Sequence, residues 1–178
     1  MRRKKSGVIL LLATAFAVAT QQPVKLTAPD KSFEASFPGE FIHEVASTDS
    51  GPVHVETHSY FFQTSESKFI LTYIHLSPTP PVDLKADDAI NTAISATVKL
   101  NRGRLLTESP LTMNGKTAKG VVISVGESTV IDGRFLYVRP RVYELLVRHK
   151  KGVIPPFEPR FFDSFSVKTT AAPTMVRP

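Results

Sequence analysis

Residues 133–150, GRFLYVRPRVYELLVRHK, and the RFFDSF run at 160–165 hold the densest spacing of large apolar side chains in the chain. The first run reads as two strands joined at Arg139-Pro140. Pro140 has no N–H to give to a ladder, so it belongs at a turn and not inside a paired strand. RFFDSF reads as a short helix, because Pro159 is tolerated in a first helical turn. Phe161, Phe162 and Phe165 then share one face, with Asp163 and Ser164 outward. A hairpin and an aromatic helix must each bury an apolar face against another layer, so a sheet packed on helices is the frame to test.

The residues of the core are restricted by what is missing. The chain has no Cys and no Trp, but 12 Phe and 4 Tyr. The aromatic core is therefore Phe-based. Disulfides, thiolate metal sites, cysteine nucleophiles and an acylated cysteine are all excluded.

The first residues follow a different logic. Arg2, Arg3, Lys4 and Lys5 precede an apolar run from Gly7 to Ala19. That run is shorter than the roughly 20 residues a helix needs to cross a bilayer core. Ala17-Val18-Ala19 fits the small-x-small cleavage rule. Residues 1–19 are expected to be a signal peptide cut after Ala19, giving an exported protein, periplasmic or extracellular. The formal charge of +6 includes the four leader cations, and without them 18 Lys and Arg face 16 Asp and Glu. The basic balance is then largely a property of the leader and is no argument for a nucleic acid partner.

Residues 20–30, with Pro23 and Pro29, read as a flexible lead-in. Lys31–Phe37 alternates Phe33, Ala35 and Phe37 with polar residues, the period of a half-buried strand. Phe41–Ala46, Val53–Gln63 and Lys68–Leu76 read as further strands. Three prolines in residues 77–81 stop the sheet. Asp83 is a fitting N-cap, and Ala86, Ile90, Ala93, Ile94, Thr97 and Leu100 recur at helical spacing, giving a helix of about 17 residues closed by Gly103. Arg104–Met113 and Lys116–Val125 form a hairpin around Asn114-Gly115, the pair a type I′ turn favours. Residues 126–133 read as a turn before the opening block. The fold class is α+β: one antiparallel sheet of about seven to eight strands, packed against one long helix and a short C-terminal helix. Residues 31–167 make a single domain, and 168–178 a disordered tail.

FEASFPGEF at 33–41, the single long helix after the fourth strand, Asn114-Gly115 before the strand that holds Gly120 and Val122, RFLYVRPRVYELLV at 134–147 and RFFDSF are spaced as in small exported bacterial proteins. Over residues 31–167 the chain resembles the PsbP-like α/β/α sandwich superfamily. The resemblance implies a non-enzymatic binding or assembly module, as in extrinsic photosystem subunits and a small-GTPase-binding factor. It carries no catalytic residues over to this sequence.

Read for chemistry, the residues give little. Gly126-Glu127-Ser128-Thr129 lacks the G-x-S-x-G nucleophile elbow. Neither a phosphate loop nor a dinucleotide fingerprint is present. Asp87-Asp88 is explained by the first turn of a helix, where carboxylates favour the dipole. His54, Glu56 and His58 share a strand face, but residues four apart on a strand are about 13 Å apart. A zinc site would need one of the two histidines with Glu56 and a ligand from a neighbouring strand, such as His75. The bland alternative is a solvated strand face.

No catalytic, cofactor or metal residues are therefore expected. The candidate interaction residues are Arg134, Arg139, Arg141, Arg148, Lys150 and Lys151, with Glu144 the sole acid among them. Lys and Arg also serve to blunt sheet edges and hairpin tips. The expected function is a non-catalytic exported module that binds a protein or envelope component. One alternative is an extracytoplasmic hydrolase or metal-dependent enzyme built on His54, Glu56, His58 or His75. Another is peripheral binding to anionic membrane through the basic hairpin.

Overall fold

The computed structural model describes residues 22–50, 53–78 and 84–168. The expected signal peptide, the expected cap Asp83 and all of the expected tail beyond Lys168 lie outside the described residues. Twelve elements follow in chain order. They are β1 (Val24–Thr27), β2 (Phe33–Phe37), β3 (Ile42–Ser50), β4 (Val53–Gln63), β5 (Ser67–Ser77), α1 (Ala86–Leu100), β6 (Arg104–Met113), β7 (Lys116–Val125), β8 (Thr129–Val138), β9 (Arg141–Lys150), α2 (Glu158–Ser164) and β10 (Ser166–Val167).

Seven strands form the main antiparallel sheet in the order β3-β4-β5-β9-β8-β7-β6. β9 is its middle strand, which is why every residue from Val142 to Val147 is buried. β6 is an edge strand, so Pro110 removes an N–H that has no ladder partner to lose. Asn114 and Gly115 take φ of 51° and 70°, as the type I′ turn between β6 and β7 requires. Among the described residues no helix is long and apolar enough to cross a membrane.

Each face of the main sheet carries its own core. α1 lays Ile90, Ala93 and Ile94 over Val121, Ile123, Ile131, Val142 and Leu146. On the other face a second sheet, β1-β2-β10, and α2 close over an aromatic core. Phe33 meets Tyr73 edge-on at 5.4 Å and Tyr143 at 5.6 Å. Phe161 does the same to Phe37 at 5.2 Å and Phe69 at 5.5 Å. Burying each such ring contributes about 1.5–3 kcal/mol.

Several sequence readings change. Val24–Thr27, read as lead-in, is a strand paired to β2, because Leu26 and Ala28 supply buried side chains to the aromatic core. β2 does not join the main sheet but forms the centre of the small one. The turn placed at 126–133 is shorter: β8 starts at Thr129, and Val130, Ile131 and Gly133 are buried. α1 has 15 residues, and its N-cap is Lys85 without a side-chain bond. At its far end Arg102 takes a positive φ of 48°, and the Gly103 N–H bonds the Val98 carbonyl at 2.9 Å. Phe165 lies just past α2 in extended conformation yet remains buried. Ser164 faces inward enough to accept the Ser36 N–H at 2.8 Å.

Candidate functional site: a buried histidine between two carboxylates

β9 alternates, so Tyr143, Leu145, Val147 and His149 all point to the aromatic side. His149 is the last of that series and is 5% exposed. Beside it on β8 stands Asp132, and the first residue of α2 brings Glu158 across. The His149 Nδ1–H donates to the Lys150 carbonyl at 2.8 Å. Its Nε2 lies 2.6 Å from Asp132 Oδ2 and 3.7 Å from Glu158 Oε2. That carboxylate oxygen of Glu158 is buried and has no hydrogen-bond partner.

The electrostatics follow from this placement. Burial pulls the imidazole down, but the hydrogen bonds to Asp132 and Lys150 and the charges of Asp132 and Glu158 outweigh it and hold His149 above its ordinary value. Burial first, then the Asp132 charge, pushes Glu158 above the usual carboxylate range. A protonated His149 thus bridges two acids. A neutral one, with its proton fixed on Nδ1, would present Nε2 and two carboxylate oxygens to a single divalent cation. These three ligand atoms lie within 4.8 Å of one another, and no other group of three does so among the described residues. The backbone carbonyl behind the ring is the partner that orients metal-binding histidines. One imidazole nitrogen with two carboxylates and no sulfur suits zinc or manganese. No hydroxyl bonds His149, so the nucleophile–base pair of a hydrolase is absent from its hydrogen bonds among the described residues. A cavity of about 290 Å³ adjoins, lined by Asp132, Arg134, Glu158 and Phe162.

The other histidines do not converge as zinc would need. His54 Nδ1 bonds Asp49 at 2.8 Å. His58 Nε2 bonds Glu56, and its Nδ1 meets His43 Nε2 at 3.2 Å. His43, absent from the sequence-based set, lies flat on Tyr60 at 4.2 Å, and His58 on Tyr73 at 4.4 Å. His75 stands opposite Glu56, with a buried Nδ1 that has no partner.

The basic residues divide into two groups. Arg141 pairs with Asp30 at 2.6 Å, donates to Ser32 Oγ at 2.6 Å and covers Tyr73 at 4.9 Å. It ties the β1–β2 connection to the main sheet. Arg134 pairs with Asp163 at 3.2 Å and stacks on Phe162 at 4.5 Å, holding α2. Arg139 is exposed at the hairpin tip, before the cis Pro140. Arg148, Lys150 and Lys151 are exposed, and no acid pairs with them among the described residues.

Sequence reading missed Asp132, His149 and Glu158 because residues 126–133 read as a turn and nothing in the chain places α2 beside the end of β9. The signal was the parity of β9, which puts His149 in the same series as Tyr143 and Val147.

Three layers, an antiparallel main sheet and a C-terminal helix under it define a PsbP-like α+β fold. The solution structure of cyanobacterial PsbP (CyanoP) from Synechocystis sp. PCC 6803 is similar to this chain with a TM-score of 0.56 at 12% identity, covering 88% of this chain and 99% of that one. No family model matches the sequence, and no curated protein does.

Proposed function

We propose that this protein is an exported, non-catalytic binding module. The observation that supports this reading is how its polar side chains are used. Arg141, Arg134 and His149 each close an internal pair that fastens a chain segment to the sheet. The PsbP-like fold is in keeping with a module of this kind. The leader at residues 1–19 supports export, and the mass of the protein recovered from the cell envelope would report cleavage after Ala19.

The test is photo-crosslinking in the cell, with probes on exposed strand positions, alongside an activity panel on the purified protein. Reproducible capture of one envelope component, with no turnover, is the expected result. Turnover of a substrate that is lost in His149→Ala would overturn the reading.

One observation favours a second reading, in which a divalent cation sits at Asp132, His149 and Glu158: the buried, unpartnered Glu158 oxygen beside a histidine of fixed tautomer. The ion would join β8, β9 and α2 as a brace. Thermal unfolding with zinc or manganese, then with chelator, checks it. A cation-dependent rise in Tm that disappears in Asp132→Asn is expected, and an unchanged Tm rules the brace out.

A further inference from the structure

One line across the main sheet runs through Gln63, Lys68, Arg148, Ile131, Ile123 and Leu105, each opposite the next. It marks one end of the molecule. Lys68 and Arg148 stand directly opposite each other, an arrangement of like charges that repels unless an anion lies between them. Lys150 follows two residues on, and the three cations line a cleft of about 400 Å³ with Thr64, Ser67 and Glu66. None of the three pairs with an acid among the described residues; Lys68 rests on the Phe61 ring at 4.2 Å.

Apolar tips project from the same end. Val153 is 51% exposed and Ile154 71%, beside an apolar pocket of about 390 Å³ under Phe62, Phe69 and Phe157. Across the sheet α1 finishes at Leu100, 83% exposed, and the chain turns through Arg102 and Arg104 to Leu105 and Leu106, both partly exposed. β9 and β6 are three strand spacings apart, about 14 Å. Described acids at this end are Glu40, Glu66 and Glu127, with Asp132 and Glu158 turned onto His149, whereas Asp87 and Asp88 sit in the first turn of α1 at the other end. The described chain also enters here, since Val24 lies opposite Phe37, whose ring packs on Phe161 and so on Phe69.

Exposed aliphatic tips spread among unpaired cations over this width match a plane and not a small anion. We infer that this end docks on an anionic bilayer, with Val153 and Ile154 entering the headgroup region while Lys68, Arg148 and Lys150 meet lipid phosphates. The inference rests on the binding-module reading and names a lipid surface as the envelope component.

The test uses the chain from Thr20 onward, which retains every described element, with vesicles of phosphatidylcholine alone or with about one third phosphatidylglycerol. Binding to the anionic vesicles only, lost in high salt, is expected. Lys68→Glu with Arg148→Glu should weaken it at least about tenfold, while Lys116→Glu at the opposite end should leave it within about twofold. Because the natural chain has no Trp, Ile154→Trp gives a single reporter. Its emission should shift to the blue on anionic vesicles. Equal binding to neutral vesicles, no binding, or an unshifted reporter would each overturn the inference. Crosslinked protein partners would then still support the module reading, so the two fail separately. Inorganic phosphate that protects the cleft lysines from acylation without any vesicle binding would assign the site to a free anion and also overturn the bilayer.

Discussion

On one face of the main sheet, rings from β2, α2 and the strands interlock; on the other, one helix covers branched aliphatic residues. The aromatic side is assembled from segments far apart in the chain: β1 and β2 near its start, α2 and β10 near its end. The aliphatic side needs α1 and the strands that follow it closely. Their charged groups differ as well. The aromatic side is tied down at its rim by ionised pairs, Arg141 to Asp30 and Arg134 to Asp163. Inside the aliphatic side is Glu144, which burial pushes up to about 7 against a weaker pull from the Thr97 hydroxyl at 3.3 Å. One layer is thus closed by charges at its edge, and the other holds within it an acid that keeps its proton up to about pH 7.

The largest expected effect compares the cores directly. Phe161→Ala removes a fully buried ring in contact with Phe37 and Phe69, and should cost about 3–5 kcal/mol in urea unfolding. Ile90→Ala, equally buried on the face of α1 that meets the sheet, should cost about 2–4 kcal/mol. A larger loss at Ile90 would reverse the ranking of the two layers.

The next effect is one of sign with pH. Glu144 has a raised folded value, so the folded state holds its proton from about pH 4.5 to 7 where the unfolded chain has lost it. Stability from this group is complete below that window and falls by about 3 kcal/mol as pH rises through it. Glu144→Gln should flatten this slope. Asp30 runs the other way. Burial opposes it, but hydrogen bonds from Ser32 and Arg141 hold it at about 2, below its ordinary 3.8. Its contribution is present above pH 4 and is lost as pH falls toward 2. Unfolding curves with parallel slopes in wild type and Glu144→Gln would remove the contrast.

Arg141→Met should destabilise by about 1–2 kcal/mol, because it removes the cation paired with Asp30 and leaves only the Ser32 hydrogen bonds. Arg148→Ala, which touches no acid, should stay within about 0.5 kcal/mol. Equal costs at the two positions would mean that the pair with Asp30 adds nothing to stability.

The same comparison explains what the sequence disclosed. The aliphatic layer was open to reading: the helical spacing of Ile90, Ala93 and Ile94, the Asn114-Gly115 turn and the alternation of β7 are all local patterns. Phe33, Ala35 and Phe37 also announced a strand. Their placement in a separate small sheet was hidden, because the partner on one side is a polar stretch with two prolines and on the other is Ser166–Val167, more than 130 residues away. Asp132, His149 and Glu158 depend on strand register and on where α2 lands, and no spacing in the chain encodes either. The division of the arginines was hidden for the same reason, since Asp30 and Asp163 reach them only through the fold.

β2 is held between the first described strand and the last. Glu34 meets Lys25 from one end of the fold at 2.8 Å and Lys168 from the other at 2.5 Å. Until residues 157–167 have left the ribosome, Phe33 and Phe37 have no lid and the small sheet lacks its third strand. The small sheet therefore closes only when segments more than 130 residues apart are both present, and β2 waits on the last of them.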